Sequence, residues 1–416
     1  MGRIMNIVDK HIETKQGDWM VLAALLIVFT EFYKFQPLMD FFRVLQFFIT
    51  VVLFIYCFNT VKTHRSIFSF PILLIILSVL FSIFPANFGW GQSFVASLKV
   101  IPKYLAYILF FFLVNSNYSI KRVEKIMLFF SALYVILYLF QLANHKTLIF
   151  GDWTSTGVVR GIVRIIFAGE GFMFFALAYY FNKVMLGERK YYNLFILGIF
   201  TLIMFMQVTR QYILAFAIMV MLGLLRKTKI YVKILAFILV IVAFNIYQYS
   251  SHPMIAGIRD AQVEDVELKD EYIRVIAGKY FLTEMAPNKF TAVFGNGVPG
   301  NSSYGSFCND LALDDKFYFV DLGLIGAYAM FGIFYVLGYL LIAFKTIKYD
   351  PGREGEYLRY YLLMIFIMSL TSGSVLSSGY MASLAVVLYL YEKYYTQKQE
   401  EEEEEGEEEA ANYEIC

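Results

Sequence analysis

Long apolar runs dominate the chain, and polar residues fall between them rather than alternating within them. A run of ~20 apolar residues crosses the ~30 Å hydrocarbon core of a bilayer as a helix. By that length the pattern predicts spans at 19–35, 38–59, 67–84 (ended by Pro85), 99–115, 123–143, 161–184, 192–208, 211–225, 230–248, 317–344, 357–371 and 375–393. The expected fold is all-α: a multi-pass transmembrane helix bundle of about 12 spans. A large polar interval, 249–316, separates spans nine and ten. Within it Ile273, Ile276, Ala277 and Tyr280 recur at helical spacing, so this external loop is predicted to be partly helical. The chain thus divides into an N-terminus (1–18), a membrane domain (19–248), the loop (249–316), a second membrane portion (317–393) and a tail (394–416).

Composition agrees, with 59% hydrophobic and only 17% charged residues. The charges then give the spans a direction. Basic residues favour cytoplasmic connections. With the N-terminus inside, the inside connections carry Lys62 and Arg65; Lys121, Arg122 and Lys125; Lys183, Arg189 and Lys190; Arg226, Lys227, Lys229 and Lys233; and Lys345, Lys348, Arg353 and Arg359. The alternation holds at every connection, and an even span number puts the C-terminus inside too. Residues 1–18 lack the apolar stretch and small-residue cleavage site of a signal peptide. The glutamate run of the tail repels itself and is expected to be disordered. A net charge of +1 offers nucleic acid no attraction. Cys57, Cys308 and Cys416 are far apart and predict no disulfide. The histidines His11, His64, His145 and His252 have no ligand spacing, so no metal and no cofactor are expected. No internal repeat of a two-halved transporter is visible.

Against this topology, charges on the outer side stand out. An ionisable residue at membrane depth is costly and marks a site or a salt bridge. Arg160 and Arg164 open span six; if the helix covers them, their spacing of four puts both on one face, with Glu170 deeper. They either bind a ligand or snorkel to the interface with Glu170 as partner. Arg210 stands in Thr209-Arg210, a tight corner between two apolar spans, where the guanidinium is held at a defined place. In the loop, Arg274 and Lys279 lie on the helical stretch, and Arg259 and Glu264-Asp265-Val266-Glu267 read as solvated. Gly295, Gly297 and Gly300 form Gly-x-Gly-x-Pro-Gly, which permits turns or close backbone approach to a ligand. No strand–turn–helix unit surrounds it, so it is no dinucleotide fingerprint. The Ser369–Ser378 interval is rich in Ser and Thr and suits helix contacts or a wet cleft.

The order of these features resembles the bacterial O-antigen polymerase and O-antigen ligase superfamily. The similarity rests on Thr209-Arg210 opening a span, Arg274 in a late outer loop, Phe294-Gly295-Asn296-Gly297, and Asp314-Asp315-Lys316-Phe317-Tyr318 leading into Asp321-Leu322-Gly323-Leu324-Ile325-Gly326. It covers residues 200–345 by motif and the rest by topology. Family ligases usually carry a histidine before that Gly-Leu-Ile-Gly span, whereas this chain has Asp314, Asp315 and Lys316, which favours the polymerase side.

The resemblance implies an integral-membrane glycosyltransferase that needs no metal. It would polymerise polyprenyl-diphosphate-linked oligosaccharide repeats into O-antigen or capsule at the outer face of the bacterial inner membrane. Partners would be that lipid-linked oligosaccharide, the bilayer, a chain-length regulator and a flippase. Arg210 and Arg274 would grip the diphosphate as bidentate donors, with Arg160 or Arg164 assisting. Asp315 or Glu170 would take the proton of the attacking hydroxyl. Gly295, Gly297 and Gly300 would let backbone approach the substrate. The alternatives are a ligase that moves glycan to lipid A-core, and a flippase of lipid-linked sugar.

Overall fold

A computed structural model describes residues 19–32, 39–150, 157–159, 162–207, 209–227, 245, 248–251, 256–257, 259 and 272–414. Arg160, the ninth span over 230–244, His11, His252, Cys416 and the acidic stretch 264–267 lie outside the described residues.

The described residues are overwhelmingly helical. They form α1 (Trp19–Phe29), α2 (Met39–Thr63), α3 (Ser69–Phe81), α4 (Ile83–Trp90), α5 (Phe94–Val100), α6 (Ile108–Ser116), α7 (Ile120–Ala143), a hairpin of β1 (Gly157–Val159) and β2 (Ile162–Arg164), then α8 (Glu170–Leu186), α9 (Lys190–Met206) and α10 (Arg210–Lys227). The polar loop contributes α11 (Ile273–Thr283), α12 (Lys289–Phe294) and α13 (Ser303–Leu313). The chain closes with α14 (Leu324–Lys348), α15 (Gly352–Ser369) and α16 (Ser378–Glu414).

Among the described residues four helical stretches are long and apolar enough to cross a membrane: Phe41–Thr63, Ser69–Trp90, Ile120–Ala143 and Leu324–Lys348. Shorter apolar helices cover Trp19–Phe29, Lys190–Met206 and Arg210–Leu225. On α2 the outward stripe Phe41, Val44, Phe48, Val51, Val52, Ile55 and Phe58 is exposed, while Gln46, Thr50, Leu53 and Cys57 are buried. An apolar face of that length against water would be an aggregation site; against lipid it is ordinary. The helical core is inside: Phe172 to Ala178 of α8 are fully buried, as is most of Tyr380 to Tyr391 of α16. Cys57 and Cys308 are buried free thiols.

Several expected boundaries change. Span three does not stop at Pro85; the helix breaks at Ser82 and continues as α4 to Trp90. Pro85 sits in the first turn of α4, where its missing N–H costs nothing. Span four is divided into α5, a 3-10 turn at Pro102–Leu105, and α6. Span six begins at Glu170, after the hairpin. The antiparallel register pairs Gly157 with Arg164 and Val159 with Ile162. Arg164 therefore lies on a strand, and the helical face expected to unite it with Arg160 does not exist. The signal was β-branched residues on both sides of Arg160-Gly161, a hairpin pattern. The acidic run, expected to lack regular structure, continues α16 through Glu414. Glutamate is a good helix former, and propagating an existing helix avoids the cost of nucleation.

Polar contacts between distant segments fall into two groups. One group, here the tail end, joins His64 to Glu392, Lys393 to Asn117, Tyr389 to the Tyr118 carbonyl, and Tyr357 and Tyr394 to Glu124. It also joins Asn182 to the Arg353 carbonyl and Lys398 to Asp350. The other, the loop end, joins Arg164 to Thr209, Tyr380 to Glu170, and Trp90 to Asn296. Helices α8 and α16 carry residues of the loop-end group near their N-termini (Glu170, Tyr380) and of the tail-end group further along (Asn182, Tyr389 to Lys398). From Tyr380 to Lys398 a helix rises about 27 Å, close to the depth of a bilayer core.

Candidate functional site

The loop end holds the sequence-predicted residues in two assemblies. The first surrounds Glu170, the first residue of α8. Gly169 before it has φ +105°, and a side chain there would strike the ring of Phe32. Glu170 Oε2 accepts hydrogen bonds from Tyr212 (2.9 Å) and Tyr380 (2.8 Å), whose hydroxyls stand 3.0 Å apart. This one carboxylate ties together the first turns of α8, α10 and α16. Its negative charge also suits a helix N-terminus. Arg164 Nη2 donates to Thr209 Oγ1 at 3.4 Å, which brings the end of β2 to the residue preceding Arg210. Arg164 also lies within electrostatic reach of Glu170. Arg210 itself is half-buried.

Not every polar atom here is satisfied by protein. Arg164 Nε, Glu170 Oε1 and Gln207 Oε1 are buried without a hydrogen-bond partner. The cost of such atoms is about 1–3 kcal/mol each, so they mark a place where a further polar group would be stabilising. Glu170 is 7% exposed, and its other oxygen is committed to two tyrosines. Through Tyr212 it is tied to the first turn of α10, the helix that Arg210 opens.

The second assembly is the docked loop. Helix α14 is broken at Gly332 (φ 77°, ψ −175°). The carbonyls of Ala329 and Met330 are taken up by the loop instead: Asn296 N and Nδ2 donate to Ala329 O (2.8 and 3.0 Å), and Gly297 N donates to Met330 O (2.8 Å). Gly295 (φ +82°) has room for no side chain, since a Cβ would lie 2.4 Å from Met330 O and 2.5 Å from Gly332 N. A Cβ on Gly297 would lie 2.5 Å from that of Ala86. These two glycines lock the loop to a span; both are buried, and neither lines a cavity described here.

Residues of the α4–α5 connection complete the lock. Trp90 Nε1 donates to Asn296 Oδ1 (2.9 Å), and its ring stacks on Tyr304 and Phe307. Gln92 donates to Val298 O (2.9 Å) and accepts from Gly300 N and Ser302 Oγ, both at 2.8 Å. The uncharged stretch Gly89-Trp90-Gly91-Gln92 carries its signal in the sequence as a glutamine and a tryptophan between apolar spans.

Beneath the lock lies a cavity of about 520 Å³, lined by Lys103, Gly300, Asn301, Ser302, Asn309, Tyr318 and neighbours. Cys308 also lines it. Burial pushes its thiol up to about 12, although the Tyr304 hydroxyl pulls it back. A thiol held so far up carries little thiolate and is a poor nucleophile. A second cavity of about 880 Å³ shares Lys103, Val298 and Pro299 with the first and is walled by Arg43, Lys99, Phe47, Phe48 and Leu98. Arg43, Lys99 and Lys103 were not singled out from the sequence as a site.

Of the remaining predicted residues, Arg274 is half-buried on α11, whose buried face is Ala277, Gly278 and Phe281. That helix packs on α14. Asp315 is exposed in the turn after α13 and is not part of the cavity wall. Arg259 is half-buried, with its guanidinium on the Gln248 and Ser250 carbonyls. Thus Arg164, Glu170 and the Arg210 corner come together, Gly300 joins the cavity, and Arg274 and Asp315 stand apart from both. Among the described residues no three His, Cys, Asp or Glu side chains gather as a metal-binding group. No protein-family model matches the chain, and no curated protein matches it.

Proposed function

We propose that the chain is an integral-membrane glycosyltransferase that polymerises polyprenyl-diphosphate-linked oligosaccharide repeats into a surface polysaccharide. It would cross the bacterial inner membrane about 12 times, with both termini cytoplasmic and the loop end outside. The observation that carries the reading is the 520 Å³ cavity under the docked loop. Its wall combines amides and hydroxyls with Tyr104, Phe317 and Tyr318, the mixture that suits a sugar's polar edges and apolar faces. Its size falls in the range of small-ligand sites, roughly 300–1,000 Å³. The division of polar contacts into two groups also matches the alternation of basic connections.

The chemistry requires little of the protein beyond positioning and charge. A sugar hydroxyl attacks the anomeric carbon, the bond from that carbon to the diphosphate oxygen breaks, and the electron pair leaves on the lipid diphosphate. Charge grows on the leaving group, where arginines stabilise it better than water does. Arg210 fills that role, with Arg164 beside it; Arg274, on the loop helix apart from that corner, is assigned to the same diphosphate by the family resemblance alone. Asp315, on the exposed turn after α13, is the candidate acceptor of the hydroxyl proton.

Electrophoresis of surface polysaccharide from cells lacking the chain tests the reading. Single repeats attached to the acceptor support a polymerase; no attached repeat points to a ligase or flippase. Arg210→Ala is expected to abolish long polymer and Arg210→Lys to shorten it, because an ammonium cannot form the bidentate pair. Full-length polymer from Arg210→Ala would remove Arg210 from the mechanism.

A further inference from the structure

Polymerisation brings two lipid-linked chains together, so a polymerase needs two places for a lipid-anchored anion. The structure has two basic places at its loop end, on different elements. One is the Arg164–Arg210 corner, on β2 and α10. The other is the 880 Å³ cavity between the ends of α1 and α2, α5 and the loop.

Three cations, Arg43, Lys99 and Lys103, line this second cavity against one carboxylate, Glu31. The excess positive charge suits an anion. The apolar wall is of a kind that suits an acyl or prenyl chain: Val44, Phe48, Val95 and Leu98 are all exposed, at 58%, 61%, 62% and 43%. In a bilayer exposed apolar residues such as these face lipid. On its other side Lys103 also lines the polar cavity under the loop. Lys103, Val298 and Pro299 are thus common to both cavities.

We propose that the Arg43–Lys99–Lys103 cavity is a second site for a lipid-linked diphosphate, with Lys103 at the junction where the glycan passes into the polar cavity. This rests on the polymerase reading. It assigns to these lysines one of the two chains whose meeting the reading requires, and leaves the other to the arginine corner.

Native mass spectrometry of the full chain in phosphatidylcholine nanodiscs, titrated with undecaprenyl diphosphate, counts the sites. The wild type is expected to bind two equivalents. The double variant Lys99→Gln/Lys103→Gln is expected to bind one, as is Arg210→Ala, whereas Lys103→Arg keeps two. Should the double variant fail to fold, Leu98→Trp fills the cavity without touching its charges and is also expected to bind one. Saturation of the wild type at one equivalent would overturn the proposal, as would two equivalents on the folded lysine variant. Equal displacement of the lysine-dependent equivalent by phosphatidylglycerol would also overturn it, by showing a general headgroup site. Failure of the polymerase reading looks different: two equivalents bind, yet cells lacking the chain still make long polymer.

Discussion

The two ends of the helical body treat their charges differently. At the tail end several cations meet carboxylates of the chain. Arg359 meets Asp350 at 3.0 Å and Glu356 at 3.8 Å, and donates to the Tyr349 carbonyl and the Tyr391 hydroxyl. Lys398 reaches Asp350 at 2.8 Å, Lys183 reaches Glu188 at 2.9 Å, and Glu124 receives Tyr357 and Tyr394. Among the described residues there, Asn182 Oδ1 and Glu392 Oε2 are buried single oxygens without a hydrogen-bond partner. At the loop end Arg43, Lys99 and Lys103 line cavities, and Arg164 keeps a buried nitrogen unpartnered. Charges that only hold helices together find protein partners, because a buried unpaired charge is costly. Cations that line a cavity are candidates for ligand binding.

The contrast can be broken most forcefully at the lock between loop and span. Gly295→Val puts a β-branched residue at positive φ into the backbone of α14. Strain and overlap together are expected to exceed about 3 kcal/mol, seen as loss of monodisperse protein in detergent. Gly198→Ala, where nothing lies within 4 Å of the new methyl, is the control and is expected to be neutral or slightly stabilising.

A smaller effect sharpens the role of Glu170. Tyr380→Phe removes one of the two hydroxyls on a buried carboxylate, at an expected cost of about 1.5–3 kcal/mol. Thermal unfolding should show the loss, and polymer should shorten because the Arg210 corner loosens. Polymer of normal length in a destabilised variant would reduce Glu170 to a structural strut.

The smallest effect belongs to the tail end. Partial burial alone would push the Asp350 carboxyl up, but the Lys398 hydrogen bond and the Arg359 charge outweigh it and hold it below the usual carboxylate range. A depressed folded-state value contributes stability above the unfolded pKa of about 4, which is lost as pH falls through the folded value. The side chain is 48% exposed, so solvent screening keeps the contribution under ~1 kcal/mol. Asp350→Asn should erase this acid-side slope in a pH series of melting temperatures while leaving polymer length unchanged. A change in polymer length would blur the distinction between the two ends.

Much of the fold was legible along the chain, and less of the site. Helices at the apolar runs follow from composition, but their ends do not. Pro85 reads as a terminator when it lies in the first turn of α4, and Ile162-Val163, inside an expected span, pair with Val158-Val159 as a hairpin. For the site, Arg210, Arg164 and Glu170 stood out because charge is rare in apolar sequence. Gly295 and Gly297 stood out as well, yet their neighbours Met330, Gly332 and Ala86 make them a lock rather than a ligand cradle. Lys99 and Lys103 escaped notice because a lysine near the edge of a run looks like any interfacial anchor.

The sequence by itself determined that this is a helical membrane protein with a polar loop. The reason is local: bilayer thickness sets the length of an apolar run, and a backbone in hydrocarbon must satisfy its own hydrogen bonds. Only the tertiary structure decided which polar residues meet. Glu170 and Tyr380 are separated by 210 positions, and Trp90 and Asn296 by 206. No local periodicity encodes such pairings; they arise when packed helices bring their ends to the same level.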